Sequence, residues 1–195
     1  GQQSGNITLA IATGGIGSEI SSAYAKAGAI VIVGFNSNFE RAKSLCASLS
    51  GYPERGHVIK HVPVLESALL AKLSDEIRSE FGRLDILVNN AGVTQFVPHD
   101  DLNSLRDEEI DRIFSTNFRG SFACVRAFKS LLASSGEGLV VNISSIAGTT
   151  GVGSNVAYCA SKAAINSMTM SLGRALAPAV RVVAIAPGWV LGEYA

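Results

Sequence analysis

Net charge is the first thing this sequence lacks. Its 16 basic and 16 acidic side chains cancel to zero, and no basic block or tail breaks that balance. The electrostatic footing for a nucleic acid or a membrane surface is therefore missing. Cysteine is scarce as well. Cys46, Cys124 and Cys159 are odd in number, widely spaced and without a C-x-x-C pair. They form neither a disulfide framework nor a metal site, and they fit a reducing compartment. His57, His61 and His99 also lack ligand spacing, so no metal is expected. No apolar run approaches the roughly 18 residues that span a bilayer. The N-terminus shows no basic stretch leading into an apolar one, so no signal peptide is expected. These absences describe a soluble, cytoplasmic protein. Proline is rare, 5 residues against 20 glycines, in a composition that is 47% hydrophobic. That balance suits a compact α/β domain and argues against disorder.

What is present is an alternation. Short β-branched runs at residues 7–12, 30–33, 57–62, 84–88, 139–143 and 180–185 read as six buried strands. Between them, residues 16–27, 40–49, 67–81, 108–132 and 158–176 carry helical patterns. In the third, Leu69, Leu70, Leu73, Ile77 and Phe81 share one face, leaving Lys72, Asp75, Glu76 and Arg78 for solvent. Strand and helix repeated in this way predict parallel pairing, right-handed crossovers and helices on both sheet faces. The fold class is a doubly wound α/β sheet, Rossmann-like and three-layered. Nothing divides it, so residues 1–195 read as a single dinucleotide-binding and catalytic domain.

Ligands of such sheets bind beyond the carboxyl ends of the strands. The segments there are 13–17, 34–38, 89–92, 144–145 and 187–188, all rich in Gly, Asn or Ser. The first reads Thr13-Gly14-Gly15-Ile16-Gly17 and opens a helix, where glycine admits a pyrophosphate and the helix start offers N–H groups and a positive dipole end. The G-x-G-x-x-G fingerprint is not met, since Ile20 stands at its last glycine, and a tight turn without a ligand reads equally well. Tyr158 and Lys162 lie four apart on a predicted helix and share a face. An ammonium beside a phenol lowers a pKa that is about 10 unperturbed, which yields a proton donor and acceptor usable near neutral pH. Alone, the pair also reads as a surface contact.

Taken together, Asn89-Asn90-Ala91-Gly92, Ser145, Tyr158-x-x-x-Lys162 and Pro187-Gly188 resemble the short-chain dehydrogenase/reductase family in order, including the thirteen-residue step from Ser145 to Tyr158. The resemblance covers essentially the whole chain. It implies a nicotinamide-dependent oxidoreductase that interconverts a carbonyl and a secondary alcohol. Tyr158 would be the acid/base. Lys162 would bind the nicotinamide ribose and depress the Tyr158 pKa. Ser145 would hydrogen-bond the carbonyl oxygen, with Ser144 as the other candidate. Asn117 would hold a water in the proton relay, or else merely interrupt a helix. Gly14, Ile16, Gly17, Asn36, Ser37, Asn90, Ala91, Gly92, Tyr158, Lys162, Pro187 and Gly188 are the expected cofactor contacts. No acid follows the second strand to repel a 2′-phosphate, and Arg41 lies one turn into the next helix, so NADP(H) is expected ahead of NAD(H). Trp189 either lines the substrate side or packs. Related enzymes imply a homo-oligomer, a tetramer or dimer built on the two long helices.

The sequence departs from the family in four places. Thr13-Gly14 runs directly into Gly15-Ile16-Gly17, where the family has three more residues. Val62-Pro63-Val64 lacks the Asp expected after the third strand. Gly192 stands nearest the place of a Thr after Pro187-Gly188, and the last helix and strand of the sheet are absent. The internal departures fall on ligand-contacting loops. We therefore expect intervening residues to be left out near Gly14–Ile16, Val64–Leu65 or Val190–Gly192, with Cα separations well above the usual 3.8 Å or so. Normal spacing at all three joins would favour a catalytically silent dinucleotide-binding or scaffold relative. A flavodoxin-like FMN binder would share the sheet without explaining Tyr158 and Lys162. Ketoacyl thioesters, sugars, steroids and xenobiotic ketones all remain open as substrates.

Overall fold

A computed structural model of the chain describes residues 5–11, 13–51 and 56–190. Its six strands are β1 (Ile7–Ile11), β2 (Ile30–Phe35), β3 (Val58–His61), β4 (Ile86–Asn89), β5 (Gly138–Ile143) and β6 (Val180–Ile185). They form one sheet in the order β3-β2-β1-β4-β5-β6, with every pairing parallel. The doubly wound reading holds. Strand order reverses at β1, whose neighbours are β2 and β4, and Ile11 is in register with Asn89 at the carboxyl end of that pair.

Period-two alternation sorts the strand side chains between two cores. Leu9, Ile11, Ile32, Leu87 and Val140 pack against α3 (Ser67–Phe81) and α5 (Ser121–Ser134). Ala10, Val31 and Val33 face the other way, against α1 (Ile16–Lys26) and α2 (Phe39–Ser48). Helix α3 has the predicted bounds and buries Leu70, Leu73 and Ile77, each contributing about 1.5–3 kcal/mol.

Two helical expectations are corrected. The single helix expected over 108–132 is α4 (Asp107–Phe114), a π-helical turn (Ser115–Gly120) and α5 in succession. The helix expected from 158 starts two residues earlier, as α7 (Val156–Leu176), because the Asn155 side chain caps it by accepting from the Tyr158 N–H at 2.7 Å. A short helix that the sequence did not announce, α6 (Ala147–Thr150), packs on α7. Among the described residues no helix is long and apolar enough to cross a membrane.

Candidate active site

At the carboxyl end of β1 the chain turns into α1. Gly15 adopts φ 46° and ψ −119°, a conformation that disfavours side chains. The Gly17 N–H donates to the Gly14 carbonyl at 3.0 Å. No side chain caps α1; its Gly17 and Ser18 N–H groups bond back to the Gly14 and Gly15 carbonyls, so the positive end of the helix carries no side-chain acceptor. Arg41 lies over this turn. Its Nε donates to the Thr13 carbonyl at 3.1 Å, and a Cβ on Gly14 would stand 3.0 Å from its guanidinium carbon. Among the described residues Arg41 makes no ion pair. Asn36 and Ser37, after β2, are exposed.

At two of the three joins the short loops form tight turns. Turn hydrogen bonds close across them: Gly17 N–H to Gly14 carbonyl at 3.0 Å, and Glu66 N–H to Pro63 carbonyl at 2.9 Å. Where the family has an Asp, Val62 and Val64 are buried in the core instead. Residues 191–195, with the third join, and Ala12 lie outside the described residues.

The four expected catalytic residues come from three elements and converge at the carboxyl end of β5. Lys162 is 5% exposed, its Nζ donates to the Ile143 carbonyl at 2.8 Å, and it lies 5.6 Å from the centre of the Tyr158 ring. Burial pulls its pKa from 10.5 down to about 8. Tyr158, one turn earlier on α7, is half-buried. Ser145 follows β5, and its Oγ accepts from the Ala147 N–H at 3.1 Å, which leaves its own hydrogen for another acceptor. The competing Ser144 is buried and donates to the Lys162 carbonyl at 3.2 Å, so the choice of Ser145 gains a physical reason.

Asn117 lies in the π-helical turn and is fully buried. Such turns recur at functional sites, and this one brings the Asn117 amide against Val93. Oδ1 accepts from the Val93 N–H at 2.8 Å, and Nδ2 donates to the Val93 carbonyl at 3.1 Å. Val93 directly follows the Asn-Ala-Gly segment. There Asn90 and Ala91 are half-buried and Gly92 is exposed. Asn89 is committed to the sheet instead, donating to Asn142 Oδ1 at 2.9 Å. Across the opening, the Pro187 carbonyl accepts from the Ile146 N–H at 3.0 Å, and a Cβ on Gly188 would stand 3.7 Å from the Ile146 side chain. Trp189 is 90% exposed.

Two residues here escaped the sequence reading. Ser161 is fully buried, accepts from Asn117 Nδ2 at 3.0 Å and donates to the Tyr158 carbonyl at 2.8 Å. Asn155 caps α7 and also donates to the Gln95 carbonyl at 2.6 Å, which ties the loop after β4 to the start of that helix. Their signals in the sequence were slight: Ser161 stands three residues after Tyr158 on its helix face, and Asn155 is a capping residue type just before that helix.

The family model for short chain dehydrogenase matches residues 7–195. A Streptomyces violaceoruber protein named as a granaticin polyketide synthase ketoacyl reductase is 37% identical over 185 residues, covering 93% of this chain and 72% of that protein. The D-threitol dehydrogenase of Mycolicibacterium smegmatis is 38% identical over 194 residues, covering 95% of this chain and 71% of that protein. A solved short chain dehydrogenase from Shigella flexneri, complexed with NADP, superposes with a TM-score of 0.86 at 28% identity. That match covers 96% of this chain and 80% of the Shigella chain.

Proposed function

Since the chain belongs to the short chain dehydrogenase family and is an oxidoreductase of that family, we propose that it interconverts a carbonyl compound and its secondary alcohol, with Tyr158 as acid/base. The observation that supports this best is the meeting of Tyr158 and Lys162 on one face of α7, against the strand end that carries Ser145.

The donors around the crevice fit a nicotinamide dinucleotide. The start of α1 is uncapped, Arg41 has no ionic partner among the described residues, and the Lys162 ammonium keeps two N–H groups beyond its bond to Ile143. Gly14, Ile16 and Gly17 would hold the pyrophosphate, and Asn90, Ala91 and Gly92 the adenosine side. Tyr158, Lys162, Pro187 and Gly188 would hold the nicotinamide end. Asn36, Ser37 and Arg41 favour a 2′-phosphate, hence NADP(H) over NAD(H), in keeping with the NADP complex of the Shigella chain. When bound, this group supplies or accepts the hydride.

The protein's own residues manage the proton. In reduction, Tyr158 passes its phenolic proton to the substrate oxygen as the carbonyl carbon receives the hydride. Oxidation reverses both transfers. Ser145 donates its free hydrogen to the same oxygen and stabilises the charge that develops there. The Lys162 ammonium favours the phenolate that Tyr158 leaves behind. Asn117 holds the water that returns a proton to the relay. A panel of carbonyl compounds tested with both NADPH and NADH checks this reading, and no oxidation of either cofactor by any member would count against it.

We also propose that the protein is a cytoplasmic homo-oligomer, a tetramer or dimer, assembled through α5 and α7. Phe122, Val156 and Met170 on those helices are all more than a third exposed. Light scattering of the purified protein tests this, and a monomer would overturn it.

A further inference from the structure

The amide of Asn117 has no rotational freedom left. Nδ2 donates to the Val93 carbonyl and to Ser161 Oγ, while Oδ1 accepts from the Val93 N–H. Ser161, fully buried, directs its hydroxyl hydrogen to the Tyr158 carbonyl at 2.8 Å. A hydroxyl with its one hydrogen committed can meet Asn117 only as an acceptor. That requirement orients the amide, with Nδ2 toward Ser161 and Oδ1 toward Val93 and Gly92. Oδ1 and Lys162 Nζ then lie 3.5 Å and 3.7 Å from the point where a side chain on Gly92 would begin. A serine bonded to a carbonyl of its own helix is ordinary. Its acceptance of a bond from a π-helical turn 44 residues away is not local chemistry.

We propose that Ser161 is a positioning residue, whose hydroxyl locks the Asn117 amide to the turn of α7 that carries Tyr158 and Lys162 and so keeps the proton-transfer groups in register. The proposal rests on the reading of Tyr158 as acid/base. Small misplacements of reacting groups are expensive, with about 1 Å able to cost roughly a hundredfold in rate. The loss of one orienting bond should cost less.

The test is a double-mutant cycle on the intact protein, with kcat and the cofactor KM measured separately. Ser161→Ala should lower kcat about tenfold while the NADPH KM stays within about twofold. In an Asn117→Ala background, the same change should produce almost no further loss, because Ser161 acts through Asn117. Full kcat in Ser161→Ala, or an equal loss in both backgrounds, would overturn the proposal, since a purely structural role gives additive effects. If Ser161→Ala does not fold, Ser161→Cys is carried through the same two backgrounds with the same expectations, sulfur being a weak acceptor of similar size. Tyr158→Phe serves as the control. If it loses turnover while Ser161→Ala does not, the proposal fails and the functional reading stands. If Tyr158→Phe turns over normally, both fall.

Discussion

Replacing Lys162 with methionine should leave the protein inactive but more stable. Lys162 is 5% exposed, and burial lowers its pKa from 10.5 to about 8. Each pKa unit corresponds to about 1.4 kcal/mol, so holding the ammonium at neutral pH costs the fold about 3 kcal/mol. Methionine occupies a similar volume without the charge. It forfeits the bond to the Ile143 carbonyl, worth about 1 kcal/mol. The net gain is about 2 kcal/mol, or roughly 4–8 °C in Tm for a chain of this size. The sign of the pH dependence follows from a folded pKa below the unfolded one. The penalty is full below pH 8, shrinks as pH rises from 8 to 10.5, and is gone above that window. The advantage of Lys162→Met should therefore be constant below pH 8 and turn into a small deficit above 10.5. Thermal or urea denaturation of both proteins at pH 7 and across that window measures it. A variant less stable than wild type at pH 7, or a difference that does not change with pH, would refute the reasoning.

A Cβ on Gly148 would meet the backbone of Lys162 and Ala163 at 2.6–2.9 Å. Gly148→Ala must push α6 off α7, so a stability loss of about 1–3 kcal/mol, read from the urea midpoint, should accompany reduced kcat. Arg41→Ala should raise the KM for NADPH several-fold and leave that for NADH nearly unchanged, which steady-state kinetics with both cofactors would show. Equal effects on the two would place Arg41 away from the 2′-phosphate.

The sheet was legible because β1, β2, β4 and β5 are buried almost throughout and read as β-branched runs. Of the other two strands expected to be buried, β3 is only half-buried and β6 is largely open. Helix α3 was legible because its apolar stripe has a clean helical period. Strand and helix ends were less so: β2 runs on to Phe35, and Asn155 starts α7 early. The π-helical turn had no signature, since Ser-Thr-Asn-Phe-Arg-Gly continues a helical pattern and only the backbone hydrogen-bond register distinguishes it. The short helix α6 was missed because Ala-Gly-Thr-Thr carries no apolar period. At the candidate site, Ser145, Tyr158 and Lys162 were proposed from their spacing along the chain. Ser161 and Asn155 were not, because their importance comes from partners 44 and 60 residues away. Ser144 and Ser145 could be separated only once their hydrogen-bond partners were known.

The central claim is that Tyr158 moves the proton in a hydride-transfer reaction. Its most direct test is NADPH oxidation by the carbonyl compound that wild type reduces best, with cofactor affinity of both proteins measured by calorimetry. The account predicts that Tyr158→Phe loses nearly all turnover and binds NADPH almost as tightly as wild type. A variant that keeps most of its turnover would contradict it.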